Sequence, residues 1–113
     1  MRVISQDGTI DVPYECYAIW LYKDQYLDIY RIACDCGETN YRRLADYSTE
    51  AKAVKAMEML REQYSRIEII KSLAIGTCEH MEESLKPKEF KDILKKYINM
   101  EVFRFPQDDE IEV

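Results

Sequence analysis

The chain lacks a surplus of base. It carries 16 Lys and Arg against 22 Asp and Glu, a formal charge of −6 over 113 residues. A protein that grips the phosphates of duplex DNA needs the opposite balance, so DNA is excluded as a partner. Four of the carboxylates (Asp108, Asp109, Glu110 and Glu112) lie in the closing QDDEIEV, so the body carries only about −2 and retains room for a local cationic pocket. No apolar run approaches the ~20 residues of a membrane helix. The N-terminus has no basic-then-apolar leader, and the expected location is the cytosol. There is no low-complexity stretch and no internal repeat. Histidine occurs once, as His80. A nucleophile–base pair would have to be Cys78 with His80, and no acid stands at a spacing that would orient them. The expectation is a binding protein and not an enzyme.

What is present is length for one core, 47% hydrophobic residues, four cysteines and nine tyrosines. In a reducing compartment the cysteines are expected as free thiols. Tyrosine joins a large apolar face to a polar tip. Single tyrosines suit half-exposed strands, whereas the set as a whole suits an oligomer interface, here a homo-oligomer.

The first half reads as an antiparallel meander of four or five strands. Arg2–Ser5 and Thr9–Val12 flank an Asp7-Gly8 turn, and Pro13 ends or bends the second strand. Tyr14–Lys23, Tyr26–Cys34 and Tyr41–Tyr47 follow, with tight connections at Asp24-Gln25 and at Cys36–Thr39. From Ser48 and Thr49, both suited to cap a helix, the period changes. Ala53, Met57, Leu60 and Tyr64 fall at helical spacing, widened by Val54 and Ala56, which predicts a helix over 49–65. Residues 66–99 either continue that helix or restart one, with Gly76 as a stop and a short amphipathic helix on Phe90, Ile93, Leu94 and Tyr97. A last strand, MEVFRFP, stops at Pro106. The predicted fold is α+β: an antiparallel sheet of about five strands with helices on one face. Residues 1–106 form one domain and 107–113 a solvated acidic tail.

Two constellations merit chemical attention. Cys34, Cys36, Cys78 and His80 form two close pairs that together resemble a tetrahedral zinc set, although one-residue spacers are less specific than two-residue ones and Cys34 equally suits a buried strand end. Phe103-Arg104-Phe105 sets an arginine between aromatics, a combination that suits a nucleotide. The alternative is a core strand whose outward Arg104 pairs with Glu101 or the tail. Arg42 and Arg43 are expected on opposite faces of their strand.

Three stretches, MRVISQDGTIDVPYE, LADYSTEAKAVKAMEMLREQY and FRFPQDDEIEV, resemble small phage and prophage proteins of Gram-positive bacteria, which run ISQDG, YSTEEKA and an aromatic-x-Phe-Pro close. The likeness covers the first fifteen residues, 44–64 and the last eleven, and neither 65–100 nor the Cys-Asp-Cys turn. In plan the chain is also similar, more faintly, to the phage anti-Thoeris sponge family. That resemblance implies an oligomeric α+β protein of the host cytosol, without a cofactor, that sequesters a cyclic ADP-ribose-type signal or a cyclic oligonucleotide without turnover. It implies Arg104, Phe103 and Asn99 as ligand residues, with Arg42 or Arg43 from the sheet. Two rival readings stand beside it: an inhibitor that binds a host protein through its acidic surface, as anti-defence or anti-CRISPR proteins do, and a small zinc-stabilised structural protein.

Overall fold

The computed structural model describes residues 1–16, 18–37, 40–77, 92, 95 and 98–113. The fold is α+β, with six strands in two three-stranded sheets and one main helix among the described residues. β1 (Arg2–Ile4), β2 (Asp11–Pro13) and β6 (Val102–Arg104) form the first sheet in the order β2-β1-β6. β3 (Ala18–Asp24), β4 (Ile29–Asp35) and β5 (Arg42–Tyr47) form the second in sequence order. Helix α1 runs from Glu50 to Thr77.

This corrects the single meander in two respects. Pro13 does end β2, and a turn at Tyr14–Cys16 separates β2 from β3, so the strands divide into two sheets. The closing strand β6 lies parallel to β1, with Val3 opposite Phe103, while β2 pairs with β1 antiparallel. The second sheet is wholly antiparallel. Its hairpin turn falls later than expected, at residues 25–28. The Asp24 carboxylate accepts from the Tyr26 and Leu27 amides at 3.0 and 3.3 Å, and Asp28 adopts φ 51°. Side-chain capture of nearby amides is what makes Asp a turn former. It leaves Tyr26 outside the strand and 99% exposed.

The period change at Ser48 is real. Thr49 caps α1, its hydroxyl accepting from the Lys52 amide at 3.3 Å. Ala53, Ala56, Met57, Leu60 and Ile67 are buried, a stripe at helical spacing, whereas Val54 is exposed. The stripe joins one core with Ile32, Leu44 and Tyr47 of the second sheet and with Val3 and Phe103 of the first. Small alanines at 53 and 56 let the helix axis approach β4 and β5. Gln63 ties the helix to the last strand, donating to the carbonyls of Met100 and Val102 at 2.7 and 2.9 Å. The helix passes Gly76, the expected stop, and continues to Thr77. Most of the second amphipathic helix, Phe90, Ile93, Leu94 and Tyr97 included, lies outside the described residues.

Within residues 107–111, Ile111 is buried and Asp108 half-buried, whereas Gln107, Asp109 and Glu110 are exposed. Ile111 is buried in the core, and Asp108 accepts from the Ser48 amide at 2.7 Å and from Lys52 Nζ at 3.2 Å. Asp108 serves the fold because it crosses to the start of α1, where negative charge is favoured.

Candidate functional site

The three stretches that carry the phage likeness meet in space. Gln6 is the hub. Its amide donates to the Leu44 carbonyl at 2.7 Å, and its Oε1 accepts from the Asp46 amide at 3.0 Å. Its Nε2 donates to the Pro106 carbonyl at 3.1 Å, and its own carbonyl accepts from Gln107 Nε2 at 2.6 Å. The Tyr47 hydroxyl donates to the same Pro106 carbonyl at 2.8 Å. Beside this hub, Ser5, Asp7, Gly8 and Thr9 close the β1–β2 turn. The Asp7 carboxylate accepts from the Ser5 hydroxyl at 2.6 Å, the Thr9 amide at 3.0 Å and the Thr9 hydroxyl at 2.7 Å. Those bonds hold its pKa down at about 2. Gly8 supplies the positive φ of 78°. The motif residues are therefore a clasp between the sheets and the closing segment.

Alongside the clasp lies an open cleft of about 370 Å³, lined by residues 6, 7, 9 and 10 of the turn and 43–46 of β5. The cleft adjoins the outer face of the second sheet. Directly opposed residues share a face, so the register puts Trp20 and Tyr22 of β3, Arg31 and Ala33 of β4, and Arg43 and Asp46 of β5 on one side. Ile19, Leu21, Ile32, Cys34 and Ala45 take the other side, toward α1.

On that outer face three aromatic rings stand together. Tyr41 meets Trp20 edge-on at 5.6 Å and Tyr22 at 6.2 Å between centroids. Tyr41 is 56% exposed, and Trp20 and Tyr22 are half-buried. Arg31 lies in the same face, 7% exposed. Its Nε donates to Asp46 at 2.8 Å and its Nη1 to Asp24 at 3.1 Å. Pairing with Asp46, chiefly, holds its pKa above the ordinary arginine range, and the Tyr22 hydroxyl adds to that. The Tyr41 hydroxyl is pushed up in turn, first by its hydrogen bond with Tyr22. Arg31 is thus saturated and orients its neighbours. Arg43 is different: it is exposed and, among the described residues, has no ion-pair partner. The face offers flat rings for stacking, phenolic hydroxyls for hydrogen bonding and the exposed Arg43 guanidinium for an anion.

The residues singled out by sequence fare unequally. Arg42 and Arg43 do point to opposite faces, opposite Cys34 and Ala33 respectively. Arg104 is exposed on β6, and Asn99 is exposed just before that strand. Phe103 is buried, 5% exposed, and packs edge-on against Phe105 at 5.2 Å. It lies on the opposite side of β6 from Arg104, so the two do not flank one ligand. Nor do Arg104 and Arg43 share a sheet. Cys34 is buried and Cys36 exposed, while Cys78 and His80 lie outside the described residues. Among the described residues no group of three or more His, Cys, Asp or Glu is placed to hold a metal ion. Sequence reasoning missed the Trp20–Tyr22–Tyr41 tier. Its signal was present, since Trp20 and Tyr22 alternate within IWLYK and Tyr41 precedes the arginine pair.

No family model, curated protein or solved structure matches the chain. Among the described residues no helix is long and apolar enough to cross a membrane.

Proposed function

We propose that the protein captures a small signalling nucleotide without turning it over, as a phage-borne anti-defence sponge that assembles as a homo-oligomer in the host cytosol. The ligand is of the cyclic ADP-ribose or cyclic oligonucleotide class. The observation that carries this reading is the aromatic tier of Trp20, Tyr22 and Tyr41 beside the exposed Arg43, which has no ion-pair partner among the described residues. A base stacks on an aromatic ring, a phosphate seats on a guanidinium fork, and stacking is worth about 1–3 kcal/mol per base. The likeness of the three clasp stretches to phage proteins supports the source. Arg43, not Phe103, is the central ligand residue, with Arg104 and Arg42 outside its face.

Trp20 is the only tryptophan in the chain, so its fluorescence reports on the tier directly. Titration with cyclic ADP-ribose isomers and cyclic dinucleotides should quench it. Ligand at one hundred times Kd should also stabilise the fold by about 2.7 kcal/mol. Arg43→Ala should abolish both responses with the melting temperature of the free protein unchanged. Absence of quenching and of any thermal shift across both ligand classes sinks the reading.

A second reading has its own observation. Tyr26 and Leu27 project from the β3–β4 hairpin tip, 99% and 62% exposed, flanked by Asp24 and Asp28. An aromatic–aliphatic pair set among carboxylates suits a protein partner, as an inhibitor of a host factor would need. Replacing both by Ser separates the two readings, since nucleotide capture would survive and partner binding would not.

A further inference from the structure

The fold brings together three cysteines that are far apart in the chain. Cys34 is the penultimate residue of β4, and Cys36 opens the turn that follows. The ladder pairs Ala18 with Asp35 and Ile19 with Cys34, which sets the start of β3 beside the end of β4, next to Cys36. Cys16 precedes β3 and folds back on it, its thiol donating to the Ala18 carbonyl at 3.7 Å. Beyond the effect of burial, Cys36 raises the titration of both Cys16 and Cys34 through direct electrostatic interaction. All three are free thiols, graded from buried Cys34 through partly exposed Cys16 to exposed Cys36.

We propose that Cys16 and Cys36 are a reversible oxidation site, joined as a disulfide when the protein meets a peroxide. Exposure makes Cys36 the thiol that the oxidant reaches. Cys36–SH and hydrogen peroxide give Cys36–SOH and water. The neighbouring Cys16 sulfur then attacks that sulfenic sulfur, the S–OH bond breaks, and the proton of Cys16 leaves with the hydroxide as a second water. Two thiols are oxidised by two electrons and one peroxide is reduced. Reduction by a dithiol restores the pair.

Cys34 is the wrong partner for geometric reasons. Residues two apart along a strand have Cβ atoms about 6.6 Å apart, whereas a disulfide needs about 3.5–4.5 Å. Cys16 reaches Cys36 from the adjoining segment. Burial also pushes the Cys34 thiol up to about 12, which keeps it protonated and inert at neutral pH. Cys16, raised to about 11 chiefly by burial, is a slow attacker of external reagents and gains its rate from adjacency to Cys36. The bridge would fasten the entry to β3 onto the turn that leads to Tyr41 and Arg43, and so connects oxidation state to the aromatic face.

The test uses the full reduced chain. It is exposed to one equivalent of hydrogen peroxide, blocked with N-ethylmaleimide, digested without reductant and mapped by mass spectrometry. The expected product is an intramolecular peptide pair joined through Cys16 and Cys36 that dithiothreitol dissolves. Cys34 should be alkylated only after denaturation. Cys34→Ser should leave the link intact, and Cys16→Ser should leave Cys36 as sulfenic or sulfinic acid, heavier by one or two oxygens. A link from Cys36 to Cys34 or Cys78, a purely intermolecular product, or an unreacted Cys36 overturns the proposal.

Discussion

The Pro106 carbonyl accepts two hydrogen bonds, from Gln6 Nε2 at 3.1 Å and from the Tyr47 hydroxyl at 2.8 Å. That shared acceptor makes a sharp test of the clasp by a double-mutant cycle. Gln6→Ala removes two side-chain bonds, the one to Pro106 and the one from the Asp46 amide at 3.0 Å, at about 1 kcal/mol each. Tyr47→Phe removes a single bond from an otherwise buried ring, at about 1 kcal/mol. In either single variant Pro106 keeps one donor. In the double variant it keeps neither, and a carbonyl held away from water without a partner costs a further ~1–2 kcal/mol. The expected losses are therefore about 2, about 1, and 4–5 kcal/mol for the pair, against 3 if the sites were independent. Thermal denaturation followed by far-UV circular dichroism would resolve this, since 1 kcal/mol corresponds to about 4 °C in a domain of this size. A double variant that equals the sum of the singles within 0.5 kcal/mol refutes the shared-acceptor reasoning.

Other outcomes follow from the same geometry. Asp7 titrates at about 2 in the fold, below its ordinary value of 3.8. Its contribution is present above about pH 4 and lost as pH falls through about 2, so Asp7→Asn should flatten the acid limb of a stability–pH curve in that window. Gly8→Ala meets no steric neighbour but must hold φ 78°, and a loss of about 1 kcal/mol in chemical denaturation is expected. Removing residues 107–113 exposes the pocket of Ile111 and strips Ser48 and Lys52 of Asp108. It should lower stability by about 2–3 kcal/mol, read as a shift in denaturation midpoint, whereas a freely solvated tail would cost nothing.

Period and punctuation made much of the fold legible, because both are local. Trp20 to Asp24 and Ile29 to Ala33 alternate as a sheet requires, and Thr49 with the Ala53–Leu60 stripe announces the helix. The division into two sheets was not legible. It depends on β1 finding β6, a pairing of residues 100 apart (Val3 with Phe103) that no local pattern encodes. For the same reason the partners of Asp108 were not legible, since nothing near it in the sequence reveals that Ser48 and Lys52 lie across from it. At the candidate site, residue type misled and alternation did not. Strand alternation puts Phe103 and Phe105 on one face and Arg104 on the other, which argues against a joint clamp, and both rings are buried. The Trp20–Tyr22–Tyr41 tier needed the β3–β4–β5 register before its members could be seen as neighbours.

The parallel pairing of β1 with β6 also sets the order in which the molecule can be finished. β2 pairs with β1 as soon as the hairpin is synthesised, but the other edge of β1 stays open until residue 102 emerges. At ~5–20 residues per second that wait lasts roughly 5–20 s. During it a hydrophobic edge and the Val3 side of the core stand without cover, and the β1–β6 pairing that ends the wait spans nearly the whole chain. Long-range closure of this kind slows folding and exposes strand edges to other chains. The clasp around Gln6 therefore works as the last fastening made, so translation that stalls before Phe103 would release a chain with helix and hairpins formed but no completed core.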